Sequence, residues 1–181
     1  MQLETSRLII RDFTVGDYDF FYELETHPHS YHYEKDDRLT DYELRVKFSD
    51  ILMLITNDHR QKYSLLITDK YTQKSIGRIV LWETDEDIKE WEMGWSLHPD
   101  YTKKGYATEA ALSLRDFAFQ TLGIHRLQAL CNEANISSEN VMIRLGMKKE
   151  GTLRGIRKLH DQWVNMTIYA ILDRDYVGIM K

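Results

Sequence analysis

The feature that most constrains the fold is a stretch in which a strand pattern changes to a helix pattern within a few residues. Residues 91–97 (Trp-Glu-Met-Gly-Trp-Ser-Leu) are rich in aromatic side chains and predict a strand that ends before Pro99. From Ala107 onward, apolar residues recur at helical spacing. The turn between the two patterns contains the basic segment Lys103–Gly105. The chain is therefore expected to pass from a strand through this turn directly into a helix.

Such a turn predicts an anion site. The first N–H groups of a helix have no acceptor within the helix, and they lie at the positive end of the helix dipole. Lys103 and Lys104 add positive charge, and Gly105 permits a left-handed backbone or the close approach of a phosphate. A simple strand–turn–helix junction with solvated lysines explains the same residues. Neither G-x-x-x-x-G-K-[ST] nor G-x-G-x-x-G occurs in the sequence.

Composition narrows the class of protein. A chain of 181 residues suffices for one domain with a real core, and no linker or repeat divides it, so we expect one domain over residues 1–181. The net charge of -5 argues against a nucleic-acid partner. No apolar run approaches the about 20 residues that span a bilayer, which predicts a cytoplasmic protein without a membrane partner. The single cysteine, Cys131, is expected in a buried strand.

Apolar periodicity predicts the element order β-α-α-β-β-β-α-β-α-β-β. A first strand is expected within Leu3–Phe13, and Thr14 and Thr40 provide N-caps for two helices. Near the end, strands over 148–157 and 162–172 are expected around a loop at 155–161. We therefore predict an α/β (α+β) fold with a mixed, mainly antiparallel twisted sheet and helices on both faces.

Two polar segments leave alternatives open. The loop Thr26–Arg38 is rich in His and Tyr, and it is expected to be an exposed loop over an acceptor site. His27, His29 and His32 in this loop could be read as metal ligands, but no cysteine or carboxylate completes a tetrahedral set, so no metal is expected. The acidic segment Glu83–Glu90 is either a solvated loop or an electrostatic funnel for an ammonium acceptor.

The strand–turn–helix segment resembles the coenzyme A pyrophosphate loop of the GNAT superfamily of N-acetyltransferases. That loop is usually written [QR]-x-x-G-x-[GA], and the branch that acetylates ribosomal proteins often shows P-x-Y-Q-G-K-G-Y-A-T-E-A. Here Thr102 and Lys103 replace the Gln/Arg and the first glycine, whereas Gly105-x-Ala107 and the flanking residues match. The resemblance implies that the cofactor loop consists of Lys103, Lys104, Gly105, Tyr106, Ala107 and Thr108.

Three further segments resemble the same branch. Asn135-Ile136-Ser137-Ser138, followed by Gly146-Met147 and Glu150-Gly151, is similar to its N-x-x-S…G-[FM]…E-G signature. Residues 161–172 are similar to its closing hairpin, and residues 4–11 to its first strand. The resemblance thus covers nearly the whole chain in order. It implies a cytoplasmic enzyme resembling ribosomal-protein N-terminal-alanine acetyltransferases.

The family implies acetyl transfer from acetyl-CoA to a primary amine by direct attack in a ternary complex. In the family fold, the strand before the cofactor loop and the strand ending near Cys131 splay apart, and the pantetheine arm lies in that gap beside the backbone of Ser96 and Leu97. An N–H near Met93 or Gly94 would polarise the thioester carbonyl, and a bulge is expected at Gly94. Asn135 would hydrogen-bond the pantetheine, and Asn140 would contact the distal end of the coenzyme.

The catalytic residues are expected at two positions. Glu92 lies where many superfamily members have a carboxylate base, although a glutamate at a strand edge needs no such role. Most members use a tyrosine as the acid, and here that position is Met142, which cannot donate a proton. Ser138 is the substitute candidate, with water as the alternative acid and a backbone-capping hydroxyl as the structural alternative.

The acceptor and the oligomeric state stay open. The acceptor could be a protein N-terminal amine, such as that of a ribosomal-protein alanine, or a small amine of the polyamine or aminoglycoside type. A non-catalytic acetyl-CoA sensor on the same fold, or a scaffold that binds a peptide at the sheet edge, are the rival classes. A monomer or a homodimer would fit the sequence equally.

Overall fold

The computed structural model of the protein describes residues 1–33, 38–57 and 60–176. The strands are β1 (Gln2–Glu4), β2 (Leu8–Asp12), β3 (Lys62–Asp69), β4 (Ser75–Asp85), β5 (Glu90–Leu97), β6 (Arg126–Asn132), β7 (Lys148–Leu159) and β8 (Gln162–Leu172). The helices are α1 (Tyr18–Thr26), α2 (Asp41–Leu54), α3 (Tyr106–Phe117) and α4 (Ile136–Arg144). A π-helical segment, Ala118–Leu122, extends α3 and ends at Gly123.

These strands form one sheet in the order β1-β2-β3-β4-β5-β6-β8-β7. Every neighbouring pair is antiparallel except β5 and β6, which run parallel. A parallel pair needs a crossover connection, and α3 provides it. The predicted α/β fold with a mixed, mainly antiparallel sheet is confirmed.

Each face of the sheet has its own apolar core. On one face, a buried cluster joins Trp91 of β5 to Leu114 of α3 and Met142 of α4. On the other face, Phe21 of α1 and Phe48 of α2 pack into a smaller cluster. Helices therefore cover both faces, as predicted. Cys131 lies in β6 and is buried, also as predicted.

The parallel pair β5–β6 is very short. Pairing is limited to Glu90↔Arg126, Trp91↔Leu127 and Glu92↔Gln128, although β5 continues for five more residues and β6 for four. Beyond Glu92 the two strands separate, so the backbone edge of Met93–Leu97 that faces β6 has no partner strand among the described residues. A splayed gap thus opens in the middle of the sheet, as the resemblance implied.

Three local predictions were wrong. The predicted first strand is two strands, because the chain reverses between Glu4 and Leu8 with a hydrogen bond from Thr5 N–H to the Leu8 carbonyl. Half of the predicted acidic loop Glu83–Glu90 is strand, since β4 continues to Asp85 and β5 begins at Glu90, and only residues 86–89 form the turn. The predicted loop 155–161 is largely the end of β7. Antiparallel pairing continues past polar residues because its hydrogen bonds are made by the backbone.

The predicted bulge at Gly94 is also absent. The register between β4 and β5 is continuous from Gly77↔Leu97 to Glu83↔Trp91, and it shifts only between Glu83 and Asp85. Gly94 lies under the indole ring of Trp82, whose nearest atom would be 3.6 Å from an added Cβ.

Within residues 1–33, 38–57 and 60–176, no helix is long and apolar enough to cross a membrane.

Candidate active site

The basic turn adopts a conformation that leaves the first N–H groups of α3 open. Lys103 (φ 59°) and Gly105 (φ 80°) both have left-handed backbones, and α3 begins at Tyr106. No side chain caps this helix end, so the N–H groups of Tyr106, Ala107 and Thr108 have no side-chain acceptor at the cap. A left-handed lysine costs about 1–2 kcal/mol relative to glycine. The turn therefore presents several aligned donors at a positive helix end.

Arg7 and Glu109 fasten this turn to the start of β2. Arg7 Nε donates to Glu109 Oε2 (2.6 Å), its Nη1 donates to the Lys104 carbonyl (3.0 Å), and its guanidinium lies 4.5 Å from the ring centre of Tyr106. Glu109 also accepts hydrogen bonds from Thr5 and Ser6. Burial alone would raise the pKa of Glu109, but these hydrogen bonds hold it below its ordinary value. Sequence reasoning placed Arg7 only in a first-strand motif and missed this role.

The two lysines of the turn differ in their contacts. Lys104 Nζ donates to the Asp100 carbonyl (2.7 Å) and lies 5.3 Å from the ring centre of Tyr101. The exposed ammonium of Lys103 has no hydrogen bond or ion pair with the residues that the structure describes. Lys103 is therefore the cation that an arriving anion meets without breaking an existing contact.

The remaining predicted cofactor residues lie on different elements and differ in exposure. Ser96 and Leu97 lie in the unpaired part of β5. Asn135 precedes α4, and its Oδ1 accepts from Ser138 N–H (3.1 Å), which leaves the amide nitrogen as a donor for another partner. Asn140 is exposed on α4. These positions are compatible with the roles that the resemblance implies.

Glu92 lies at the point where β5 and β6 separate. It pairs in register with Trp82 on one side and with Gln128 on the other, and Gln128 Nε2 donates to its Oε2 (3.1 Å). Burial raises the pKa of Glu92, and the negative charge of Glu90 adds to the rise. The hydrogen bond from Gln128 and the charge of Arg157 oppose it. A carboxylate with a raised pKa at a gap is suited to accept a proton near neutral pH.

The candidate positions for a general acid, on α4 and on the neighbouring strand β8, differ in burial and in hydrogen bonding. Met142 is 1% exposed within the core, so this position is structural. Ser138 is half-buried in the first turn of α4, and its hydroxyl has no hydrogen bond to a described residue. Tyr169 donates to Glu139 (2.6 Å), which raises the pKa of Tyr169 to about 12 and makes this phenol a weak acid. Ser138 is thus a half-buried hydroxyl on α4 that is free to donate, whereas Ser137 beside it is exposed.

A cavity that sequence reasoning missed lies between α2 and the sheet. Its volume is about 870 Å³. Trp82, Gly94 and Ser96 line its floor on the same face as Glu92, because the register pairs Trp82 with Glu92 and Val80 with Gly94. Ser30 of the predicted acceptor loop Thr26–Arg38 also lines the cavity, as does Leu39 directly after that loop. Residues 34–37 of that loop lie outside the described residues.

Three carboxylates and three cations line the cavity: Glu25, Glu43 and Asp50, and Lys47, Lys62 and Arg78. Glu25 forms ion pairs with Lys47 (2.5 Å) and with Arg78 (2.8 Å). Burial lowers the pKa of Lys62, and the positive charges of Arg78 and Lys47 lower it further. The hydroxyl of Ser64 is buried without a hydrogen-bond partner. No pattern in the sequence signals this set, because its members come from α1, α2, β3 and β4.

The histidine-rich segment shows local contacts. His27 Nδ1 accepts from His29 N–H (3.1 Å), and the His27 ring packs edge-on against His98 at 5.3 Å. Residues 1–33, 38–57 and 60–176 contain no group of three His, Cys, Asp or Glu side chains that could hold a metal ion. In the acidic segment Glu83–Glu90, the carboxylate of Glu90 already forms an ion pair with Arg126 (2.5 Å).

Comparison with known proteins gives a consistent result. The profile of the Acetyltransferase (GNAT) domain matches residues 7–148. The uncharacterized N-acetyltransferase YnaD of Bacillus subtilis is 28% identical over 176 residues, which cover 97% of this chain and 99% of that protein.

Two solved structures share the fold. Ribosomal-protein-S5-alanine acetyltransferase from Vibrio fischeri superimposes with a TM-score of 0.85 at 20% identity, covering 98% of this chain and 99% of that chain. Spermidine N-acetyltransferase from Vibrio cholerae, in complex with CoA and spermine, gives a TM-score of 0.82 at 18% identity, covering 94% and 98%. At these identities the similarity establishes the fold and leaves the acceptor open.

Proposed function

Because the chain belongs to the GNAT family of acetyltransferases, we propose that it transfers the acetyl group of acetyl-CoA to a primary amine by direct attack in a ternary complex. The observation that carries this proposal is the three-residue pairing of β5 with β6. It leaves Met93–Leu97 as an open edge that leads from Glu92 to the basic turn. At about 3.3 Å per residue, the distance from Glu92 to Leu97 is about 17 Å, enough for an extended arm.

The residues around this edge fit the donor. Backbone donors of Gly105, Tyr106, Ala107 and Thr108, together with the ammonium groups of Lys103 and Lys104, would hold the pyrophosphate at the uncapped start of α3. An added Cβ at Gly105 would lie 3.4 Å from Arg7 Nη2, so glycine keeps this surface clear. The edge at Ser96 and Leu97 would pair with the amide groups of the arm, as a peptide pairs with a sheet edge.

Asn135 and Asn140 complete the proposed donor site from the α4 side of the gap. The Asn135 amide nitrogen is available because capping of α4 uses only its Oδ1. Asn140 is exposed and would reach the distal end of the coenzyme. When bound, acetyl-CoA supplies an activated acetyl thioester.

The proposed chemistry places a proton acceptor and a proton donor at the gap. Glu92 would take a proton from the ammonium form of the acceptor, directly or through water. The nitrogen–carbon bond forms, the carbon–sulfur bond breaks, and the N–H of Met93 or Gly94 would stabilise the charge that develops on the carbonyl oxygen. Ser138 or water would protonate the departing thiolate.

Two classes of acceptor are consistent with the family. One is a protein N-terminal amine, as the name of the Vibrio fischeri protein indicates for that enzyme, and the other is a small amine, as the spermidine enzyme indicates. The second candidate function is a non-catalytic acetyl-CoA sensor. The replacement of the first loop glycine by the strained Lys103 is the observation that favours it.

Calorimetry with the purified protein tests the donor site first. We expect acetyl-CoA to bind with micromolar affinity, with acetate and ATP as controls, and we expect dephosphorylated analogues to bind more weakly. Thiol release on an amine panel then separates the two functions. Binding followed by release establishes the enzyme, binding without release on any amine favours the sensor, and no binding contradicts both.

A further inference from the structure

The floor of the cavity between α2 and the sheet carries polar side chains on two neighbouring strands. Lys62 and Ser64 are two residues apart on β3 and therefore point to the same face. Ser64 pairs with Val80 and Leu66 pairs with Arg78, so the Arg78 side chain is a diagonal neighbour of Ser64 on that face. All three polar residues line the cavity. They form one cluster of hydrogen-bond donors, which we call the β3–β4 donor cluster.

The Ser64 hydroxyl is the unusual member of this cluster. The residue is 4% exposed, and its Oγ has no hydrogen-bond partner. A buried hydroxyl without a partner costs about 1–3 kcal/mol, so such groups are rare unless a ligand or water completes them. Ser64 lines the cavity, so its hydroxyl lies next to the space that a bound molecule would fill.

The charges around Ser64 favour an anion. Glu25 is already shared by Lys47 and Arg78, so this carboxylate neutralises only one of the two cations. Lys62 has no hydrogen bond or ion pair with a described residue, and burial lowers its pKa. Lys47, Lys62 and Arg78 therefore outnumber Glu25 around Ser64, with Arg78 and Lys47 partly buried and Lys62 exposed at the edge of β3.

The other two carboxylates that line the cavity, Glu43 and Asp50, are exposed residues of α2. Asp50 is exposed, and its charge acts on Lys62 only as the smallest of four causes. Glu43 is exposed and accepts hydrogen bonds from the backbone and hydroxyl of Thr40 in the capping box. Neither side chain ion-pairs with Lys62. A polyamine would meet its own sign of charge at the floor.

From this cluster we propose that the acceptor is an amine that also carries a carboxylate, bound by Lys62, Ser64 and Arg78. The proposal rests on the proposed acetyl transfer, because it concerns the acceptor of that reaction. The carboxylate oxygens accept from the Ser64 hydroxyl and from the two cations, which satisfies the buried hydroxyl and the unpaired ammonium together. The apolar side chains of Val80 and Trp82 accommodate the chain between the two ends.

The register sets the separation of the two ends. Ser64 pairs with Val80, and Val80 pairs with Gly94, where the acetyl carbonyl is proposed to lie. Two strand spacings of about 4.8 Å separate Ser64 from Gly94 by about 10 Å. The amine and the carboxylate are therefore several bonds apart, as in an ω-amino acid or a short peptide.

Three amines of one chain length test the proposal: 6-aminohexanoate, 6-aminohexanamide and 1,6-diaminohexane. They differ only in whether the far end is anionic, neutral or cationic. We expect kcat/KM, measured by thiol release, to be about 10-fold or more higher for the carboxylate than for the amide, since a hydrogen bond to a charged group is worth this factor. The diamine should be the poorest acceptor.

Lys62→Met should remove this preference. It keeps the unbranched apolar stem of the side chain and removes the ammonium, so kcat/KM for 6-aminohexanoate should fall by about 10-fold while that for the amide changes little. Lys62→Arg should retain the preference. Lys74→Met is the matched control, because Lys74 lies exposed at the far end of the same hairpin.

The outcomes separate this proposal from the proposed function. Acetyl transfer with equal or better use of the amide or the diamine overturns the carboxylate subsite and leaves the transferase intact. If no amine is acetylated, calorimetry with N-acetyl-6-aminohexanoate decides the subsite alone. Binding that weakens about 10-fold in Lys62→Met supports it, and binding that is absent or unchanged in that variant overturns it.

Discussion

The proposed donor loop leads into α3 on one face of the sheet and the proposed acceptor cavity lies under α2 on the other face, and the two regions are built in different ways. The donor loop is a single segment, from His98 to Thr108, whose proposed ligands are mainly backbone N–H groups. The cavity is lined by side chains of α1, α2 and strands β3–β5. One region depends on local backbone conformation, and the other depends on how distant elements pack.

This difference affects how each region tolerates change. Backbone donors persist through most substitutions, so the loop accommodates Thr102 and Lys103 in place of the usual residues as long as Gly105 keeps its left-handed turn. The cavity depends instead on its side chains, so a substitution there removes the interacting group itself. Replacing Lys62 or Arg78 changes the charge of its floor while the strands beneath remain in place. The donor is therefore expected to be shared across the family, and the acceptor is expected to vary.

Gly105→Glu should have the largest effect on the donor side. It places an anion where the pyrophosphate is proposed to bind, so acetyl-CoA affinity should fall by more than about 100-fold. Gly123→Glu is the matched control, because Gly123 is also left-handed (φ 64°) and has nothing within 4 Å of an added Cβ, but lies at the other end of the helical segment. Calorimetry measures both. Unchanged binding in Gly105→Glu would contradict the assignment of the loop.

Glu92→Gln should separate chemistry from binding. The substitution removes the proposed base at the gap, so kcat should fall by about 100-fold with little change in acetyl-CoA affinity. Glu86→Gln, in the exposed turn between β4 and β5, is the control. A near-normal rate in Glu92→Gln would return Glu92 to a structural role.

The pH profile gives a second test of Glu92. Burial raises its pKa above 4.5, and a base must be deprotonated, so kcat/KM should decline as the pH falls through this raised value. Glu92→Gln should lose that acidic limb. The same shift means that Glu92 favours folding at low pH, and that this contribution is lost as the pH rises through the raised pKa. An acidic limb that persists in Glu92→Gln would assign it to another group.

Arg7→Met should weaken the support of the donor loop. It removes the hydrogen bonds to Glu109 and to the Lys104 carbonyl while keeping apolar contact with Tyr106. Because Arg7 is partly exposed, we expect the free energy of unfolding to fall by only about 1 kcal/mol, with acetyl-CoA affinity reduced by about 5-fold. Arg154→Met on the exposed side of β7 is the control. Equal effects in both variants would show that Arg7 does not position the loop.

Ser138→Ala should have the smallest effect. A thiolate with a pKa near 8.5 needs little help to leave near neutral pH, so loss of the hydroxyl should slow kcat by only about threefold. Ser137→Ala, one residue earlier and exposed, is the control. An unchanged rate in Ser138→Ala would leave water as the acid.

Much of the fold could be predicted from local patterns. The strand that ends before Pro99, the turn glycine at position 105 and the helical periodicity after Ala107 are contiguous in sequence, and their backbone preferences do not depend on distant partners. Boundaries were less predictable. The β4–β5 hairpin continues through Asp85 and Glu90 because the backbone ladder is insensitive to the polarity of its side chains.

The candidate site divides in the same way. Local sequence predicted an anion site in the turn before α3 and placed Glu92 on a strand, since each prediction follows from a residue and its neighbours along the chain. The resemblance to the family added the expectation that Met142 stands where a tyrosine is usual. Only the tertiary structure decided that Arg7 supports the loop from 97 residues away. It also decided that Lys62, Ser64 and Arg78 share one cavity, because strand register and the packing of α2 bring side chains together that no short segment contains.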